Sequence, residues 1–211
     1  FSNEFEQERV ADVGIVLDGR LRSNTLSSKL SMFEYSVQAA ATLASAFIHQ
    51  GNRVGMLLYG HYLNWTYPGY GRVQQERILR VLAQAQLGNS QIFSDLDHIP
   101  ARLFPTSSQI VLISPLLPDD QDILMKLRAR DYQLLVVSPD PIRLEQSSLP
   151  DKPAVQQATR ILAMERELTL QRLRRAGIQV INWDVAMPFD LVVRQHLTRP
   201  PTFMKIVEAR P

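Results

Sequence analysis

Ala11-Asp12-Val13-Gly14-Ile15-Val16-Leu17-Asp18-Gly19-Arg20-Leu21-Arg22-Ser23 decides the fold. Residues 11–17 read as a strand whose nearly continuous apolar character suits a sheet centre covered on both faces. The run stops at an acid, and a loop and a long helix follow. Open α/β sheets build their functional edge in this way, because ligands sit beyond the carboxyl ends of the strands. Asp18 therefore stands where a metal ligand or general base is found, or where a carboxylate caps the next loop. Arg20 and Arg22 behind it are the wrong residues to ligate a metal.

Outward from this strand, the pattern alternates. A helix is predicted over 32–50 from Phe33, Val37, Ala40, Ala44 and Phe47. Ser31 and Glu34 form a capping box at its start, and Gly51 suits the position after its end. A second buried strand covers 53–59. A Gly60-His61 turn then leads to an antiparallel strand over 62–66. Residues 73–87 are amphipathic and stop at Gly88. Ser94 and Asp97 can cap a short helix over 95–104, which Pro100 should break. Further strands are read at 109–114, 132–138 and 178–181. Asp119 or Asp120 can cap a helix over 121–130, and a long helix spans 154–176. The proline-rich stretch after 138 reads as a loop, and the residues after Pro188 give no clear pattern. The expected fold is α/β: a doubly wound, mostly parallel sheet with one antiparallel edge strand and helices on both faces.

Composition narrows the function classes. The chain has 211 residues, 45% of them hydrophobic, enough for one large α/β domain, and no composition break divides it. We expect residues 1–211 to form a single domain. A net charge of +2 and 21% charged residues give no electrostatic case for nucleic acid. The chain has no cysteine, which excludes disulfides, thiolate catalysis and Cys-ligated zinc. No apolar run is long enough to span a bilayer. The chain begins at Phe1 rather than Met, which reads as a piece of a longer protein with room for an anchor upstream.

Most other candidates read as structural. Ser114 and Ser138 end strands, but neither sits in a Gly-x-Ser-x-Gly turn. His49, His61, His98 and His196 lack metal-site spacing. Asp119, Asp120 and Asp122 surround a helix start, where acids favour the macrodipole. No phosphate-binding glycine loop occurs. Trp65, Tyr67 and Tyr70 cluster with Pro68, either packing over the sheet edge or forming a partner surface.

Several strings together resemble one family. Asn3-Glu4-Phe5-Glu6-Gln7-Glu8-Arg9 before Ala11-Asp12-Val13, residues 29–46, Gly51-Asn52-Arg53-Val54-Gly55, Ser94-Asp95-Leu96 and Val111-Leu112-Ile113-Ser114 resemble the von Willebrand factor A-like domain of DUF58 proteins. The resemblance runs from Asn3 to about Ser138. It implies the same doubly wound sheet and, by the family pattern, a metal-ion-dependent adhesion site of Asp-x-Ser-x-Ser, a later Thr and a later Asp. Asp18 matches the first Asp and Ser94 can stand for the Thr. Arg20 and Arg22 replace both serines, and Pro115 replaces the last Asp. Mg²⁺ requires an octahedron of hard oxygens, so the expectation is a degenerate site without metal and no cofactor. Arg20 or Arg22 then either folds back onto Asp18 in place of the metal charge or points into solvent.

The resemblance further implies a non-catalytic protein-interaction domain at the cytoplasmic face of the membrane, in a membrane-associated parent protein. The implied partner is a MoxR-type AAA+ ATPase. The expected surface is the strand-end edge: Asp18, Arg20, Arg22, Ser94, Pro115 and Asp119. The alternative is a Mg-dependent hydrolase or phosphotransferase using Asp18 and the Asp119 group.

Overall fold

The computed structural model describes residues 12–24, 31–60, 63–90, 92–93, 95–105, 108–146 and 148–197, with no account of the side chains of Ala101, His196 and Leu197. Among the described residues, six strands form one sheet in the order β3-β2-β1-β4-β5-β6. They are β1 (Asp12–Asp18), β2 (Arg53–Tyr59), β3 (Asn64–Gly69), β4 (Gln109–Ile113), β5 (Gln133–Pro139) and β6 (Gln179–Trp183). β3 is antiparallel to β2, and every other pairing is parallel. The helices are α1 (Met32–His49), α2 (Gly71–Ala83), α3 (Asp120–Ala129), α4 (Pro141–Gln146), α5 (Pro153–Arg175) and α6 (Phe189–Leu197). This is the expected mostly parallel sheet with one antiparallel edge strand.

The apolar runs are explained by two cores. Val13, Ile15 and Leu17 face a layer built with Phe33 and Leu43 of α1, Ile78 of α2 and Phe189 of α6. Val16 faces the opposite layer, with Leu124 of α3, Leu173 of α5 and Phe104. A strand sandwiched this way must be apolar at both odd and even positions. Gly14 is the exception, because Phe104 packs where its side chain would be: a Cβ there would lie 2.2 Å from the ring.

Local signals set several helix ends. Ser31 and Glu34 form the capping box of α1, each satisfying the other's backbone N–H. Gly51 and Gly177 take positive φ after α1 and α5, a conformation glycine adopts without a Cβ clash.

Four expectations need correction. The helix predicted over 95–104 is instead two 3₁₀ turns, Leu96–His98 and Ala101–Leu103, separated by Pro100, and Asp95 caps the first. The strand predicted over 62–66 lies at Asn64–Gly69, with a shift in register against β2 between Val54 and Met56. The proline-rich loop contains α4, since Pro141 at its start has no N–H to lose there. The unread tail contains α6, whose Phe189 and Val192 join the core. The expected Gly60-His61 turn extends into residues outside those described.

Candidate functional site

β1 and β4 are neighbours although 90 residues of sequence and two other strands separate them. The chain winds one way from β1 and the other way from β4, so a crevice opens between their carboxyl ends. Asp18 ends β1. Ser114 follows β4, and Asp120 opens α3 a few residues later. Topology alone brings these three together.

Arg20 joins them. Its guanidinium lies between the two carboxylates and donates from Nε to Asp18 Oδ1 at 2.9 Å and from Nη2 to Asp18 Oδ2 at 2.8 Å. It also donates from Nη1 to Asp120 Oδ1 at 2.9 Å and from Nη2 to Asp120 Oδ2 at 2.8 Å. Both contacts are bidentate, a geometry the planar guanidinium permits and ammonium does not. Arg20 is 2% exposed, and the carboxylate side chains are fully enclosed. Burial alone pulls the Arg20 guanidinium down. The hydrogen bonds and charges of Asp18 and Asp120 outweigh it, so its pKa rises.

The loops around this triad complete its hydrogen bonding. Ser114 Oγ donates to Asp18 Oδ2 at 2.7 Å and accepts from the Leu116 N–H. The Leu117 N–H donates to Asp120 Oδ2, and the Arg20 N–H donates to Asp18 Oδ1. Leu116 is held at φ +64, a left-handed conformation unusual for a branched side chain. The Arg20 loop is fastened on its other side, where Gly88 N–H donates to Gly19 O and Leu21 N–H donates to Gly88 O.

A second arginine supports the same loop from behind. Arg166 of α5 donates to Pro115 O, Ser138 O, Pro139 O, Ser138 Oγ and Asn182 Oδ1, tying α5 to the ends of β4, β5 and β6. Burial lowers its pKa, with partial opposition from the nearby charges of Asp140 and Glu167. Ser138 donates to Pro115 O. Both strand-end serines thus fasten loops, as their sequence context predicts.

The expected site residues divide by position. Asp18 and Arg20 meet in the triad. Pro115 is buried above Ser138. Arg22 and Asp119 are exposed. Ser94 lies outside the described residues. Three of the six, Asp18, Arg20 and Pro115, are therefore buried rather than displayed at the edge: the guanidinium holds Asp18 inward, and Ser138 and Arg166 hold the Pro115 carbonyl. The choice between the arginines is resolved in favour of Arg20. Sequence reasoning treated Asp120 as a helix-dipole acid and missed its pairing with Arg20, and it also missed Arg166. The sequence offers Asp120 as a helix cap and as a member of the Asp119 group, and neither reading pairs it with Arg20.

A divalent ion does not fit these residues. The space between Asp18 and Asp120 is filled by a cation, and all four carboxylate oxygens already accept from it. Among the described residues no group of three or more His, Cys, Asp or Glu side chains could hold a metal. His49 is exposed and contacts Ser45 O, and His98 faces Asp95. Of the aromatic cluster, Trp65 packs edge-on against Phe104, whereas Tyr67 and Tyr70 are exposed.

The sheet order, its antiparallel edge and a strand-end acid at the switch point define a von Willebrand factor A-like α/β domain. Residues 1–158 match the family described as "Protein of unknown function DUF58", and the chain belongs to that family. Solved structures share the fold at low identity. An aerotolerance-related membrane protein from Bacteroides fragilis NCTC 9343, carrying multiple mutations to serine, is 13% identical with a TM-score of 0.53, covering 89% of this chain and 98% of its own. The SpRpn10 VWA domain is 10% identical with a TM-score of 0.52, covering 88% and 95%. No curated protein sequence matches the chain.

Proposed function

We propose that this domain is a non-catalytic protein-interaction module whose strand-end edge engages a MoxR-type AAA+ ATPase. The observation that supports this reading is the Asp18–Arg20–Asp120 triad. Catalysis by a carboxylate needs an oxygen available to a proton, a substrate or a metal. Here each oxygen of both acids is held by the guanidinium, and the Ser114 hydroxyl is committed to Asp18. Arg20 in this reading replaces the divalent cation of a metal-dependent adhesion site, so the edge keeps its shape without a metal.

The surface above the triad supplies the contact. Leu21, Arg22, Pro118 and Asp119 are exposed there, an apolar and charged mixture suited to a protein partner. No helix among the described residues is long and apolar enough to cross a membrane. An ATP-hydrolysing partner puts the domain at the cytoplasmic face of the membrane, with any anchor elsewhere in the parent protein.

Pull-down of a MoxR-type ATPase by the wild-type domain and by Arg22→Glu, Asp119→Arg and the double variant tests this surface. The double variant should lose binding, and retained binding overturns the assignment. The alternative is a Mg-dependent hydrolase or phosphotransferase using Asp18. Calorimetric titration with Mg²⁺ or Mn²⁺ decides it: tight binding abolished by Asp18→Ala would replace the interaction reading with the enzymatic one.

A further inference from the structure

α5 is apolar on the wrong side. Its inner face carries Arg166, Leu170 and Leu173 against the sheet. The opposite face carries Ile161, Met164 and Leu168, which are 57%, 69% and 55% exposed. A surface helix ordinarily presents charged and polar residues on that side. Arg166 is level with the ends of β4 and β5, and of the residues before it in the helix only Val155 and Thr159 are part-buried. The seam thus occupies a stretch with little cover from the domain.

The spacing of the seam is that of a helix pair. Ile161, Met164 and Leu168 fall at positions a, d and a of a heptad, with Ala154 at the preceding a and Gln157 and Gln171 at the neighbouring d positions. The flanking g and e positions are Arg160, Glu165, Glu167 and Arg172. In a parallel, in-register pair, each g residue faces the e residue five positions later on the other helix. Arg160 then meets Glu165 of the second copy, and Glu167 meets Arg172. Both pairs have opposite sign, and symmetry repeats them. Such e and g charges set partner choice and orientation in paired helices. Glu167 also accepts from Arg174 and Gln171 of its own helix through Oε1.

We propose that the outer face of α5 is a self-association surface, occupied by α5 of a second copy of this chain in a parallel two-fold pair. The interface is isologous, with Ile161, Met164 and Leu168 at its core. A two-fold axis along the helices keeps the direction of both domains, so the two strand-end edges face the same way. The seam is short, and the association depends on concentration. This proposal is independent of any ATPase partner.

Sedimentation analysis of the chain over a concentration series tests it. The wild type should shift from monomer to dimer as concentration rises. Leu168→Glu should remain monomeric with unchanged circular dichroism and thermal midpoint, since the residue is exposed. Arg160→Glu should weaken the dimer, and Arg160→Glu/Glu165→Arg should restore it, a recovery that only the parallel register gives. A wild type that stays monomeric up to about 1 mM overturns the proposal. So does a dimer indifferent to Leu168→Glu, or a monomer that instead floats with anionic vesicles through this face.

Discussion

Arg20→Ala should be among the most damaging single substitutions in this protein, and the structure sets its size. Asp18 Oδ2 and Asp120 Oδ2 each lie 2.8 Å from the same Nη2, so they can be no farther apart than twice that distance, about 5.6 Å. Two unit negative charges at that separation repel by about 3 kcal/mol at an effective dielectric of 20. Removal of one partner from a buried ion pair costs about 3–5 kcal/mol in general, which agrees. For a chain of 211 residues this lowers the thermal midpoint by roughly 6–20 °C. Arg20→Lys should recover little, because one ammonium cannot span four oxygens. Arg20→Ala/Asp120→Asn should recover much of the loss by removing the repulsion. Denaturant titration measures all three against Arg22→Ala, which should be close to wild type because Arg22 is exposed. An Arg20→Ala variant within 1 kcal/mol of wild type would refute the triad as an internal charge pair.

Other expectations follow from the same geometry. Mg²⁺, Mn²⁺ or chelator should leave the wild-type melting temperature unchanged, whereas Arg20→Ala should gain stability from Mn²⁺ as an ion enters between the two acids. Differential scanning fluorimetry reads both, and a wild type stabilised by the metal contradicts the reading. Gly14→Ala should cost about 1–3 kcal/mol by overpacking against Phe104, with partial recovery in Gly14→Ala/Phe104→Leu. Glu34 is held below its ordinary carboxyl range by the Ser31 backbone N–H and then by the Ser31 hydroxyl. Its depressed folded pKa adds stability above its ordinary value of 4.5, and this is lost as pH falls through the lower folded value. Glu34→Gln should therefore flatten the acid limb of the stability profile measured by urea denaturation.

Legibility in the sequence followed the range of the interaction. The strands β1, β2, β4 and β5 were readable because burial on both faces demands unbroken apolar runs. The α1 capping box was readable because its partners are three residues apart. The return of an arginine to Asp18 was one of two open readings, because Arg20 is two residues from that acid. The bidentate contact to Asp120 spans 100 residues and leaves no local pattern. Arg166 was hidden for the same reason, since a basic residue on a helix with many arginines reads as solvated until the helix is placed. The two 3₁₀ turns defeated the helix prediction because Pro100 interrupts too short a segment for a stable α-helix.

The layered architecture and the place of Asp18 at the end of a central strand, with Arg20 and Arg22 behind it, are legible in the sequence alone. These follow from periodicity and from residue chemistry within a few positions. Only the tertiary structure decided which arginine is buried and which acid completes its pairing. It also decided that these residues lie below the surface rather than on it. The physical reason is the strand order: by placing β4 beside β1, the sheet brings Ser114 and Asp120 to Asp18. A guanidinium can be buried there only because both carboxylates meet it at once.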